Sequence, residues 1–240
     1  QLLEYLPFPS PSSNLRCVSL HPKLSNLSAI LAKEFKSDFR NPYSLAGALL
    51  FLLSSLFVCY ITMKRLPGAS IWVALFWIIT LFASFNAIAK SFTSESRGRM
   101  LYLYSLVSPE VFIGAKAIYQ SVILLVLSIV AMLVYQVLFE MVIQDYFVFV
   151  ISLVFGSTGI AIILSLLSTI ASKAGKNFTL LAILGLPVLL PLLMVTTTLM
   201  KNAIDGIELS VQLKYIFVLL GLNGVSLALA LVLFPYLWRE

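Results

Sequence analysis

The sequence predicts an all-α integral membrane protein: six transmembrane helices, preceded by an amphipathic helix lying in the membrane interface. Three observations lead there. Hydrophobic residues make up 60% of the 240 positions and charged residues 11%, whereas a soluble domain is nearer to about 45–50% apolar and 25% charged. Six windows, 41–63, 66–89, 117–139, 146–172, 177–200 and 215–238, contain no Asp, Glu, Lys, Arg or His, so all 16 basic and 10 acidic residues fall between them. Each window reaches the roughly 20 residues needed to cross hydrocarbon. Finally, runs such as Val122-Ile123-Leu124-Leu125-Val126-Leu127 do not alternate apolar with polar, as barrel strands must. Helices, which satisfy their own backbone, are the remaining way to span lipid.

Residues 1–22 carry Pro7, Pro9, Pro11 and Pro22 among Ser and Asn, and no basic segment followed by an apolar one. Poor order is expected there rather than a signal peptide. The first Met is Met63 and residue 1 is Gln, so residues 1–23 read as disordered or as a non-native N-terminal extension. From 24 to 40 the pattern changes. Leu24, Leu27, Leu31, Phe35 and Phe39 recur at helical spacing, with Lys33, Lys36 and Arg40 on the opposite arc. This is the pattern of an interfacial helix, ended by Asn41-Pro42. Glu34 and Asp38 sit within or beside the apolar arc. The segment therefore reads either as an interfacial anchor or as a surface whose acids meet a protein partner.

The spans are expected at about 43–63, 67–89, 112–139, 146–172, 177–200 and 215–238. Between the second and third lies the richest polar stretch, residues 90–116. Its Ser108-Pro109-Glu110 is a helix start: Ser caps, Pro fits the first turn and Glu favours the positive end of the dipole. Lys116, one to two turns on, has the stem to snorkel to the interface. Upstream, the apolar run Met100–Tyr104 is flanked by Glu95, Arg97 and Arg99. It reads as a short helix against the membrane or as an ordinary solvated loop, and connections of this length are usually functional. Gly156 and Gly159, with Ser157, Ser165 and Ser168, make a small-residue face suited to close helix packing. Asn86, Gln120, Gln136 and Asn223 are expected to bond across helices. Pro187 and Pro191 mark a hinge in the fifth segment, which is either one kinked span or a two-part re-entrant one.

With the N-terminus inside, the inner loops and ends hold 12 Lys and Arg (Arg16, Lys23, Lys33, Lys36, Arg40, Lys90, Arg97, Arg99, Lys116, Lys173, Lys176 and Arg239). The outer ones hold 4, namely Lys64, Arg65, Lys201 and Lys214. Both termini are therefore expected in the cytoplasm. The net charge of +6 needs no nucleic acid, because basic loops face anionic headgroups.

No G-x-x-x-x-G-K-[ST], no H-E-x-x-H and no Cys or His cluster with metal spacing occurs, so neither a nucleotide site nor a metal site is expected in the sequence. Cys17 and Cys59 are isolated, and His21 is the single histidine. The six windows hold no acid, base or His, which argues against a proton pump or cation-coupled carrier. No residue stands out as a haem ligand, buried Met being far more often packing.

Phe76–Gln120, FWIITLFASFNAIAKSFTSESRGRMLYLYSLVSPEVFIGAKAIYQ, and Ile170–Leu193, IASKAGKNFTLLAILGLPVLLPLL, resemble the haem exporter B family of cytochrome c maturation, particularly its Bacteroidetes-like members. The resemblance covers about residues 25–240. It implies that residues 24–240 form a six-helix permease domain of an ABC-type complex in the bacterial inner membrane, without catalytic residues of its own. It also implies ATP hydrolysis on a separate A-type ATPase chain, haem as the cargo delivered to a periplasmic haem chaperone, and haem-handling C-type and small D-type membrane subunits as partners. A second copy of the chain is a further candidate partner. On this reading Glu95, Arg97, Arg99, Leu101, Leu103, Tyr104, Glu34 and Asp38 couple to the ATPase, while Ser108, Pro109, Glu110, Pro187 and Pro191 act as helix start and hinge. An ABC exporter permease for a lipid, drug or polysaccharide, and a non-transporting scaffold, are the rival readings.

Overall fold

A computed structural model describes residues 30–32, 34–36, 43–63, 68–93, 109–140, 142–173 and 178–239. Six long helices follow in chain order: α1 Tyr43–Thr62, α2 Ala69–Thr93, α3 Pro109–Phe139, α4 Tyr146–Lys173, α5 Phe178–Asp205 and α6 Leu209–Arg239. All six are long and apolar enough to cross a membrane, so the chain is an all-α multi-pass membrane protein. The helices outrun the uncharged windows: α2, α3, α5 and α6 take in Lys90, Lys116, Lys201 with Asp205, and Lys214. A charge ends the hydrocarbon-compatible stretch, not the helix, which continues into the polar interface.

Local chemistry sets the ends. The α4 start is capped by Asp145, whose Oδ1 accepts from the Val148 N–H at 3.4 Å while its carbonyl accepts from Phe149 N–H at 3.1 Å, the N-cap pattern. At the end of α5, Gly206 takes φ +68° and the Ile207 N–H donates to Asn202 O at 3.1 Å. That is a Schellman turn, in which a left-handed residue needs no Cβ. A Cβ on Gly206 would also lie 2.6 Å from Gln144 Oε1. The two turns are tied by Asp145 N–H donating to Ala203 O at 2.9 Å. Pro187 and Pro191 both lie inside α5, which runs through them as one helix. The two-part arrangement is not seen. Both prolines sit on the exposed face of that helix.

At the end of α3, Glu140 adopts φ 47°, a left-handed conformation that costs a residue with a Cβ about 1–2 kcal/mol. Its side chain is exposed, so little is lost on removal. Glu140→Gly is expected to stabilise the protein by about 1 kcal/mol, read as a raised midpoint of thermal unfolding in detergent. An unchanged or lowered midpoint would refute the strain.

Contacts along the helices fix two ends. Tyr60 of α1 meets Phe139 of α3, and Trp72 of α2 meets Tyr135 of α3 and Phe149 of α4. This is the turn end, with residues 140–145 and 206–208. At the opposite, loop end, Phe112 and Ile113 of α3 cluster with Leu166 of α4 and Ala230 of α6. Helices α2 and α4 are central, with 67% and 61% of their spans buried, whereas α1 and α6 are peripheral at 17% and 11%. Outward faces carry Leu50, Ile61, Phe217 and Val225, a surface suited to lipid.

Candidate functional site

Two places combine charge or polarity with burial. One is at the loop end. Residues 30–32 and 34–36 are helical, and Phe35 sets its ring edge-on to Tyr119 of α3 with centroids 5.0 Å apart. Ile30 and Glu34, one turn apart, are buried, while Ala32 and Lys36 are exposed. The inward face of this segment is therefore packed on protein, and Glu34 lies among this chain's own helices. The described turns thus rest on this chain's own α3 through Phe35.

Lys116 departs from the snorkelling expectation. Only 3% exposed, it holds its ammonium 5.8 Å from the centroid of the Phe112 ring. Tyr119, one turn further on, is the residue against which Phe35 of the N-terminal segment packs. A buried ammonium above an aromatic ring recovers part of its lost hydration through the ring quadrupole. Of the other expected coupling residues, Glu95, Arg97, Arg99, Leu101, Leu103, Tyr104 and Asp38 lie outside the described residues, as does Ser108. Pro109 and Glu110 open α3.

The second place is mid-bundle, where α2, α4 and α5 converge. The indole of Trp77 lies directly on Gly156: a Cβ there would fall 2.2 Å from Trp77 Cη2, 2.8 Å from Cζ2 and 3.0 Å from Thr196 Cγ2. One turn earlier on α4, Ser152 Oγ donates to Thr196 O at 3.0 Å, stapling α4 to α5. Further along, a Cβ on Gly159 would lie 2.9 Å from both Leu192 δ carbons and from Asn223 Oδ1, and Asn223 Nδ2 donates to Phe155 O at 3.2 Å. The small-residue face thus works as expected, through its glycines. Ser157, Ser165 and Ser168 are buried but return their hydroxyls to their own helix, as Asn86 returns its amide to Phe82 O.

Among the described residues, buried side-chain polar atoms without a hydrogen bond lie on α2, α3 and α6. Trp72 Nε1, Trp77 Nε1 and Thr80 Oγ1 are all orphaned, against the usual rule that buried donors are satisfied. Of nine buried Ser and Thr among the described residues, Thr80 alone donates to nothing. Gln120 of α3, 3% exposed, leaves both amide atoms unpaired.

Sequence reasoning passed over the aromatic cluster at the turn end. Trp72, Phe76, Trp77, Tyr135, Phe139 and Phe149 form one stack of neighbours, and Tyr135 Oη donates to Trp72 O at 3.1 Å. The available signal was position. Trp72, Tyr135, Phe139 and Phe149 fall near the same end of their spans, yet aromatics there usually mark the lipid interface. Only the packing shows these turned inward. Among the described residues no group of three or more His, Cys, Asp or Glu is placed to hold a metal.

No curated protein matches the chain. The sequence profile of the CcmB protein family matches residues 25–236, nearly the whole chain. The chain therefore belongs to the CcmB family, the haem exporter B subunits: a multi-pass permease subunit of an ABC-type transporter with an ATPase partner, serving cytochrome c maturation.

Proposed function

We propose that this chain carries motion from the ATPase to haem-handling membrane subunits of C and D type, in delivering haem to a periplasmic chaperone. The observation that supports it is the seating of residues 30–36 on the first turns of α3. The 90–116 loop leads straight into that helix. The N-terminal segment and the loop thus join the bundle at one end, and force applied to either reaches α3. Glu95, Arg97, Arg99, Asp38, Leu101, Leu103 and Tyr104 form the ATPase contact, and Glu34 acts from inside by holding the segment on α3. Ser108 caps the helix that receives the load.

Purification of the tagged protein in mild detergent tests this reading. Co-purification of an ATPase with haem-handling subunits and haem is expected. An ATPase with a lipid, drug or polysaccharide instead of haem would point to another exporter, and recovery without any ATPase would point to a scaffold.

On this reading both termini and the loop end lie in the cytoplasm of a bacterial inner membrane, which the 12 to 4 distribution of Lys and Arg supports. Reporter fusions within 90–116 and 173–176 are expected to read cytoplasmic, and fusions within 140–145 periplasmic. A periplasmic signal from 90–116 would reverse the assignment.

A further inference from the structure

The helix that enters the 90–116 loop is α2, which ends at Thr93. It is also the most buried of the six spans, so any displacement of the loop pulls on the centre of the bundle. What α2 touches there is unequal. Toward α3 it is held by the Tyr135 hydroxyl on the Trp72 carbonyl. Toward α4 and α5 it is held by shape. The six-membered part of the Trp77 indole fills the notch left by Gly156, which Thr196 of α5 also borders. That notch lies between two helices already joined by the Ser152–Thr196 bond.

Trp77 makes no hydrogen bond through Nε1, and Thr80, one turn on, makes none through Oγ1. The inward face of α2 therefore meets α4 and α5 by shape, with Trp77 in the notch at Gly156, Phe85 beside Gly185 and Trp72 near Phe149, while Trp77 Nε1 and Thr80 Oγ1 stay uncommitted. A fit of that kind transmits a push or a tilt, because packed side chains shift between discrete arrangements rather than deform. It also lets α2 change its polar partners without breaking bonds already made.

Resting on the permease reading above, we infer that Trp77 is a positioning residue that keys α2 into the stapled α4–α5 pair, so that motion entering at the loop moves α2, α4 and α5 together. Uncoupling by changes at the key should therefore separate from loss of the protein.

The test uses the full chain in cells that make c-type cytochromes, with three variants: Trp77→Phe, Gly156→Ala and the two combined. Phe lacks the ring atoms that approach Gly156, and Ala supplies the methyl group that the indole excludes. Trp77→Phe is expected to keep membrane amount, thermal midpoint and ATPase co-purification near wild type while cytochrome yield falls at least fivefold. Gly156→Ala alone should be worse. The double variant, in which the smaller ring meets the added methyl, should recover at least half of the wild-type yield. Yield that tracks protein amount or thermal midpoint across all three variants would overturn the inference, as would a double variant no better than Trp77→Phe. Absence of ATPase co-purification from the wild type would instead defeat the permease reading beneath it.

Discussion

Replacing Leu101 and Tyr104 together with alanine is expected to weaken capture of the ATPase about tenfold or more, while leaving the amount of protein in the membrane nearly unchanged. Two positions in the chain motivate this. The loop joins the end of α2 at Thr93 to the start of α3 at Pro109, and it is longer than the connection between α4 and α5, which runs from Lys173 to Phe178. Residues 174–177 are too few to build a docking element on a soluble partner. Residues 95–104 combine the charges of Glu95, Arg97 and Arg99 with apolar Leu101 and Leu103 and aromatic Tyr104. Truncating a buried anchor at an interface commonly costs about 1 kcal/mol, and roughly 2 at a hot spot, and about 1.4 kcal/mol is tenfold in affinity. All six spans are untouched in this variant. The measurement is membrane level, ATPase co-purification and c-type cytochrome yield in one strain. Unchanged co-purification and yield would remove the loop from the coupling path.

The second large effect is expected at Gly159. Here α4, α5 and α6 meet with no room for a side chain: a Cβ would be 2.9 Å from both δ carbons of Leu192 and from Asn223 Oδ1. Leu192 is fully packed and Asn223 is tethered to the Phe155 carbonyl across the helix interface. Gly159→Val adds three carbons. Overpacking of that kind costs about 1–3 kcal/mol, and displacing Asn223 forfeits a buried hydrogen bond, about 1–3 kcal/mol more. Set against a total stability of roughly 5–15 kcal/mol, the variant should accumulate several-fold less and unfold at a clearly lower temperature in detergent. Gly221→Ala and Gly224→Ala are matched controls on α6. Nothing lies within 4 Å of a Cβ at either, so the better helix propensity of Ala leaves them neutral or slightly stabilised, by up to about 1 kcal/mol. Wild-type accumulation of Gly159→Val would mean that this crossing is looser than its distances indicate.

These two predictions draw on different levels of the molecule. The loop was readable in the residues because charge and length are local properties: Glu95, Arg97 and Arg99 break an otherwise apolar chain, and Ser108-Pro109-Glu110 announces the next helix, which opens at Pro109. The small residues of α4 were readable as a packing face. Which of them would be critical was not, because serines in a span can turn their hydroxyls back on their own carbonyls, as Ser165 does to Ile162, and a glycine matters only where another chain segment approaches. The same holds for Lys116. Its sequence position, near the start of a span, fits a snorkelling side chain equally well. Only the packing shows it buried, beside the Phe112 ring.

By itself the sequence determined that the chain spans a membrane six times as helices, where each span lies, how the basic residues divide between the loops, and which family's pattern it follows. All of these follow from hydropathy, charge and order along the chain. Tertiary structure alone decided that α2 and α4 form the centre while α1 and α6 lie outside, that the aromatic residues near the turn end face inward, and that Trp77 rests on Gly156. The reason lies in the solvent. In water a helix must be polar on its exposed side, so its sequence reveals which face is buried. In lipid the exposed side and the buried side are both apolar, and the choice between them is left to shape.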